Sequence, residues 1–124
     1  NEGWGAVLNE SMNSGCAVVA SHAIGSVPFL IKDGINGLVY ENGNQKHLES
    51  QVCKILDDAA YRKKIGETAY GTIVEMWNAQ IASSRFVALA KRLIKGESVN
   101  NLFEDGPCSS AKILDNGWYH ANEH

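Results

Sequence analysis

The sequence predicts an α/β domain built on a parallel sheet, of which this chain supplies only part. Three observations carry the prediction. Apolar residues recur at helical spacing in several segments. Two short, continuous apolar runs lie between the first of those segments. Gly, Asn and Asp mark nearly every change of period.

Trp4, Val7, Leu8 and Met12 share one helical face, so residues 2–4 read as a loop and 5–14 as a helix, with Gly15 ending its last turn. Residues 16–20, CAVVA, form an apolar β-branched run bounded by Gly15 and Ser21, as expected of a strand buried on both faces. A Gly-containing loop follows over 21–27. Pro28 then suits the first turn of a short helix reaching Ile31, which Asp33 and Gly34 stop. Asn36 and Gly37 turn the chain into a second buried strand, 37–40. Asn42, Gly43 and Asn44 cap an amphipathic helix over 45–57 with Leu48, Val52, Ile55 and Leu56 on one face. Further helices are expected over 59–76 and 78–94, the latter with Ile81, Phe86, Leu89 and Leu93 inward and Lys91, Arg92 and Lys95 at its C-terminal end.

The periodicity fails after Gly96. Residues 97–124 are polar, with turn signals at 105–107 and 115–117 and isolated aromatics at Phe103, Trp118 and Tyr119. The expected organisation is therefore one truncated domain over 1–96 and an irregular extension over 97–124. Two buried strands need neighbours on their hydrogen-bonding edges and cover on both faces, which this chain only partly supplies. The missing strands are expected upstream of Asn1, making these residues the second half of a Rossmann-like domain.

The bulk composition agrees. A chain of 124 residues suffices for one small core; it is 44% hydrophobic and 20% charged, with 12 Gly and 2 Pro. A formal net charge of -3 gives no basic field for nucleic acid. Cys16, Cys53 and Cys108 are odd in number and widely spaced, which argues against a disulfide framework or zinc site and for a reducing compartment. The apolar runs are too short to cross a bilayer, and the N-terminus lacks the pattern of a secretory signal.

The chemistry is concentrated in residues 2–10, EGWGAVLNE. Gly3 and Gly5 allow close backbone approach at a helix entrance. The unpaired N–H groups around Gly5, Ala6 and Val7 then face outward, where the helix dipole favours an anion such as a diphosphate. Glu2 precedes that turn and Glu10 lies about two turns along the helix, so two carboxylates flank the N–H cluster. Beside a diphosphate they need other partners, and the vicinal hydroxyls of a sugar or ribose donate strong hydrogen bonds to carboxylates. A lone Gly-x-Gly is usually a turn and a lone helical Glu is usually solvated; the spaced pair, followed by a strand and the DGxNG turn, gives the site its specificity.

The run EGWGAVLNESMNSGCAVVAS closely resembles the signature of family 4 glycosyltransferases, retaining enzymes of the two-domain GT-B fold. The chain stays in step through Gly25-Ser-Val-Pro28, through Asp33-Gly-Ile-Asn-Gly-Leu-Val39, and through Trp77 before the last helix, so the resemblance covers about residues 1–94. It implies that Glu2 bonds hydroxyls of the transferred sugar and Glu10 the ribose. Backbone N–H groups of Gly3, Trp4, Gly5, Ala6 and Val7 would hold sugar and diphosphate. Trp4 is expected to act through its N–H rather than its ring. The resemblance further implies a nucleoside-diphosphate sugar as donor and a glycan or lipid-linked acceptor, with no cofactor and no metal. An N-terminal domain of the same protein would complete the cleft. The expected location is the cytoplasm, including the cytoplasmic membrane face through peripheral contact. Ala17 stands where Pro is common, a difference of packing; Phe29 stands where an acid is common, in a loop one residue longer than usual, which bears on donor identity. Because the family's basic phosphate ligands lie upstream, this fragment alone is expected to be inactive.

Two other classes stand beside this reading: a GT-B-fold sugar-nucleotide epimerase, against which the spacing of Glu2 and Glu10 argues, and a non-catalytic nucleotide-binding fragment. His22 follows the first strand, where ligand sites of open sheets gather, but reads as an ordinary loop histidine. His120 and His124 are four apart yet lack a third metal ligand. Lys63-Lys64 and Lys91-Arg92 read as solvated helix faces.

Overall fold

In a computed structural model, residues 3–111 and 113–121 are described. The elements run α1 (Ala6–Asn13), β1 (Val19–Ser21), α2 (Val27–Leu30), β2 (Leu38–Tyr40), α3 (Gln45–Asp57), α4 (Ala59–Glu75) and α5 (Ala79–Ile94). The order expected from periodicity is the order observed. Both strands are shorter than expected. Leu38 to Tyr40 is all that the turn at 33–37 and the bend after Glu41 leave extended, and β1 is a strand only opposite it. The strands are parallel, with Val19 opposite Leu38 and Ser21 opposite Tyr40. A parallel pair needs a crossover, here residues 22–37 with α2 inside them.

The core gathers Leu8 and Met12 of α1, Ala20 of β1, Val27 and Leu30 of α2, Val39 of β2, and Ala69 and Ile73 of α4. Leu38, one residue from Val39, points to the opposite face of the strand, and α3 packs against β2. Three helices start on side-chain caps placed where a short polar residue precedes the apolar period. Asn44 accepts from the His47 N–H, Asp58 from Tyr61 and Asn78 from Ile81.

The turn DGxNG is a structural fastener. Asn36 is only 3% exposed. Its Oδ1 accepts from the Lys32 N–H at 2.7 Å, and its Nδ2 donates to Leu30 O and to Thr72 Oγ1 of α4, both at 2.9 Å. Asp33 Oδ1 accepts from the Val39 N–H at 2.8 Å, fixing the entry to β2.

Three expectations about faces need correction. Leu56 is exposed, and the inner face of α3 instead carries Gln51, whose Nε2 donates to Val39 O at 2.8 Å. Phe86 and Leu93 of α5 are 64% and 56% exposed. Periodicity identified an apolar stripe on α5, but the described residues do not cover it. The extension after Gly96 forms no helix or strand among its described residues, yet it is docked. Arg85 of α5 donates to the carbonyls of Asp105 and Pro107 and lies 4.7 Å over the Phe103 ring. Trp118 and Tyr119 pack against the core.

Candidate functional site

Asn1 and Glu2 lie outside the described residues, so Glu2 has no place in the geometry that follows. The helix entrance is built as its residues demand. Gly5 is the N-cap of α1 at φ 78°, ψ 60°, a left-handed conformation that glycine adopts without steric cost. The Leu8 N–H bonds back to Gly5 O at 2.9 Å. The N–H groups of Gly5, Ala6 and Val7 make no backbone bond to any described residue. Gly5 is buried, whereas Ala6 and Val7 are exposed, so this end of the dipole reaches solvent at those two residues.

Glu10 is exposed, and its carboxylate pairs with no described residue. Because α1 begins at Ala6, Glu10 is its fifth residue. It stands one turn past the first helical N–H, about 6 Å along the axis, rather than two. That is nearer the N–H cluster than the sequence suggested, on the same face as Ala6.

The loop carrying this entrance is held by a second loop from the sequence's other glycine motif. Gly25 N–H donates to Gly3 O at 2.9 Å and Ser26 N–H to Trp4 O at 3.1 Å. The approach is so close that a Cβ on Gly25 would lie 2.4 Å from Gly3 O. The Trp4 ring has a structural role. It stacks on Phe29 at 5.9 Å between centroids, lies 5.7 Å from Trp77, and donates its Nε1–H to Asn9 Oδ1 at 2.9 Å. Phe29, where the resemblance leads one to expect an acid, therefore serves as the platform for Trp4. Three separated sequence features, residues 3–10, the Gly-Pro loop with Phe29, and Trp77, meet at one place.

Beside this entrance, a cleft of about 1060 Å³ opens at the C-terminal ends of β1 and β2. His22 lies at its floor and is only 8% exposed, so it is not a surface histidine. The Asn42 N–H donates to its Nδ1 at 2.9 Å, which leaves Nε2 to carry the proton it donates to Asn116 O at 3.1 Å. The place of His22 was legible in the sequence and its partner was not, since Asn116 lies in the tail.

The same tail supplies the outer wall. Trp118 Nε1–H donates to His22 O at 3.2 Å, and Tyr119 lies between the His22 and His47 rings at 6.0 and 6.2 Å. Tyr119 OH is 3.1 Å from Asp33 Oδ2 and 3.0 Å from Val39 O. Burial, with the Asp33 charge next, pushes the Tyr119 phenol up to about 12. Glu41 is held below the usual carboxylate range by hydrogen bonds from Asn44 and then His120, whose Nδ1 is 3.2 Å away. His120 is in an irregular segment, and His124 lies outside the described residues. Among the described residues no group of three or more His, Cys, Asp or Glu is arranged to hold a metal. No described helix is long and apolar enough to cross a membrane.

The profile of the glycosyl transferases group 1 family matches residues 1–72. The chain belongs to that family. It is 31% identical over 67 residues to an uncharacterized glycosyltransferase of Methanocaldococcus jannaschii, covering 54% of this chain and 19% of that protein. It also resembles the C-terminal domain of LpcC, a glycosyl transferase group 1 family protein from Francisella tularensis. The TM-score is 0.60 at 30% identity, over 64% of this chain and 40% of that one. The chain thus spans about a fifth of the curated relative and two fifths of the solved one. Its two parallel strands and flanking helices match a GT-B C-terminal domain, as the sequence led one to expect. Within this glycosyl transferases group 1 domain the family match ends in α4, so α5 and the docked tail lie beyond it.

Proposed function

We propose that this domain holds the nucleoside-diphosphate sugar of a family 4, retaining glycosyltransferase that moves a hexose-type sugar to a glycan or lipid-linked acceptor. The observation that carries the reading is the free N-terminal turn of α1 behind a left-handed Gly5, with an unpaired Glu10 one turn away. In this reading the N–H groups of Gly5, Ala6 and Val7, with the backbone of Gly3 and Trp4, hold the diphosphate. Glu10 accepts from the ribose and Glu2 from the transferred sugar. Donors fixed on the phosphate stabilise the charge that grows as the glycosidic bond breaks. The amides and the dipole oppose that charge directly, so the step is proposed to run without a metal. The remaining GT-B domain supplies the acceptor side and basic phosphate ligands. The protein then works in the cytoplasm against soluble or membrane-borne acceptors, and the fragment alone does not turn over.

The test uses the full-length protein. Glu2→Ala and Glu10→Ala should each remove one charge-assisted hydrogen bond, about 1.5–3 kcal/mol, or roughly ten- to a hundredfold in donor binding or turnover. Wild-type-like activity in both variants contradicts the assignment.

A further inference from the structure

Among the described residues, one buried polar side chain lacks a partner. Ser21, His22, Asn36 and Gln51 are each hydrogen-bonded, whereas Ser26 Oγ, on a residue 0% exposed, bonds to none of the described residues. Such an exception in a folded protein marks strain or the place of a ligand. The hydroxyl is not a helix cap. Asn44, Asp58 and Asn78 cap their helices from extended backbone, but Ser26, in front of α2, stands at φ -81°, ψ -19° and its side chain caps nothing. The usual capping bond is closed to it, because Pro28 has no N–H and the Phe29 N–H donates to Ser26 O at 3.0 Å. What Ser26 faces is the entrance of α1. Its N–H donates to Trp4 O at 3.1 Å, and its Oγ lies 3.8 Å from the point that a Cβ on Gly5 would occupy. Gly5 is buried too, and its N–H bonds to no described residue. A hydroxyl and an amide, both unpartnered, thus stand close together at the first turn of an eight-residue helix.

We infer that Ser26 is a ligand of the donor's diphosphate: its hydroxyl donates to an oxygen of the phosphate that carries the sugar, beside the Gly5 N–H. This role rests on the donor reading above and adds to it a side chain from a separate loop. The chemistry is complementary. A phosphate oxygen is an acceptor, and the Ser26 O–H and Gly5 N–H are donors with nothing to donate to. Which phosphate follows from Glu10. With Glu10 on the ribose, the opposite end of the turn, at Gly5, meets the phosphate farther from the ribose. Access is past Ile24, a half-buried side chain whose Cγ2 is 2.6 Å from the same Gly5 Cβ point. Ile24 turns aside as the donor enters, a rotamer change of the kind common at binding surfaces. A side chain on residue 5 would fill that place, which the glycine leaves to Ile24 and then to the ligand. In so dry a position a single hydroxyl counts for more than it would at the surface.

The experiment compares wild type and Ser26→Ala in the full-length protein, measuring affinities for UDP, UMP, GDP and GMP by calorimetry and the thermal midpoint without ligand. In wild type UDP binds more tightly than UMP, or GDP more tightly than GMP. Ser26→Ala shrinks that advantage by about tenfold, the loss of one charge-assisted hydrogen bond. Its thermal midpoint rises or stays within about 2 °C of wild type, because a buried hydroxyl with no partner does not support the fold. A serine with a merely structural role would lose stability along with affinity. The role of Ser26 alone is overturned if the advantage of the diphosphate shrinks by less than about threefold in Ser26→Ala, or if the midpoint falls by more than about 2 °C. If wild type binds the diphosphates no better than the monophosphates, the donor reading fails and the role of Ser26 fails with it.

Discussion

Replacing Asn36 with Ala removes the fastener between α2, β2 and α4. Three side-chain hydrogen bonds disappear, to the Lys32 N–H, Leu30 O and Thr72 Oγ1. At about 1 kcal/mol net for each bond the loss is about 3 kcal/mol. Stranding the Lys32 N–H and Leu30 O beneath a residue only 3% exposed raises it toward about 5 kcal/mol. That is a large share of the roughly 5–15 kcal/mol that stabilises a typical domain. At about 3–6 °C per kcal/mol for a chain of this size, the thermal midpoint falls by about 10–30 °C. Urea unfolding followed by circular dichroism measures the loss directly. Asn36→Asp keeps the acceptor for Lys32 but turns a carboxylate oxygen toward Leu30 O and buries a charge, so it should destabilise at least as much as Ala. A loss below about 1 kcal/mol in Asn36→Ala would refute the claim that the DGxNG turn is fastened by its asparagine.

Two further perturbations probe the loop and the tail. Gly25→Ala places a Cβ 2.4 Å from Gly3 O, so the two loops must separate. The variant should lose about 1–3 kcal/mol and the fixed geometry of the α1 entrance, and an unchanged thermal midpoint contradicts the close approach. Tyr119 has its phenol raised from 10 to about 12 in the folded chain, so folding favours the protonated form. Its contribution is fully present below pH 10 and is lost as pH rises from 10 toward 12. The difference in tyrosinate absorbance between wild type and Tyr119→Phe should centre near pH 12, with proteolytic release of the tail over the same interval. A difference centred at 10 means that Tyr119 is not packed against Asp33.

Much of this was legible in the sequence because it is written in local patterns. The caps at Asn44, Asp58 and Asn78 precede apolar stripes, and each accepts a first-turn N–H as its position suggests. The helix entrance at Gly5 was readable because few residues other than glycine adopt its backbone conformation. What was not legible depends on partners far along the chain. His22 stands in the turn after β1 as its position suggests, but its partner Asn116, 94 residues away, cannot be inferred from periodicity. Phe86 and Leu93 looked buried because a stripe reveals that a face is apolar and not what covers it. The packing of the Trp4 ring is of the same kind: it is placed by Phe29 and Trp77, which no local spacing connects to it.

The central claim is that the free N–H groups at the start of α1 receive the donor's diphosphate. Amide chemical shifts of the isotopically labelled chain, titrated with UDP-sugars, GDP-sugars and the corresponding free sugars, test it most directly. At least one nucleotide sugar should move the amides of Gly5, Ala6 and Val7 most, and the free sugars should leave them still. If no nucleotide sugar shifts those three amides, or if the largest shifts fall on residues remote from α1, the claim is contradicted.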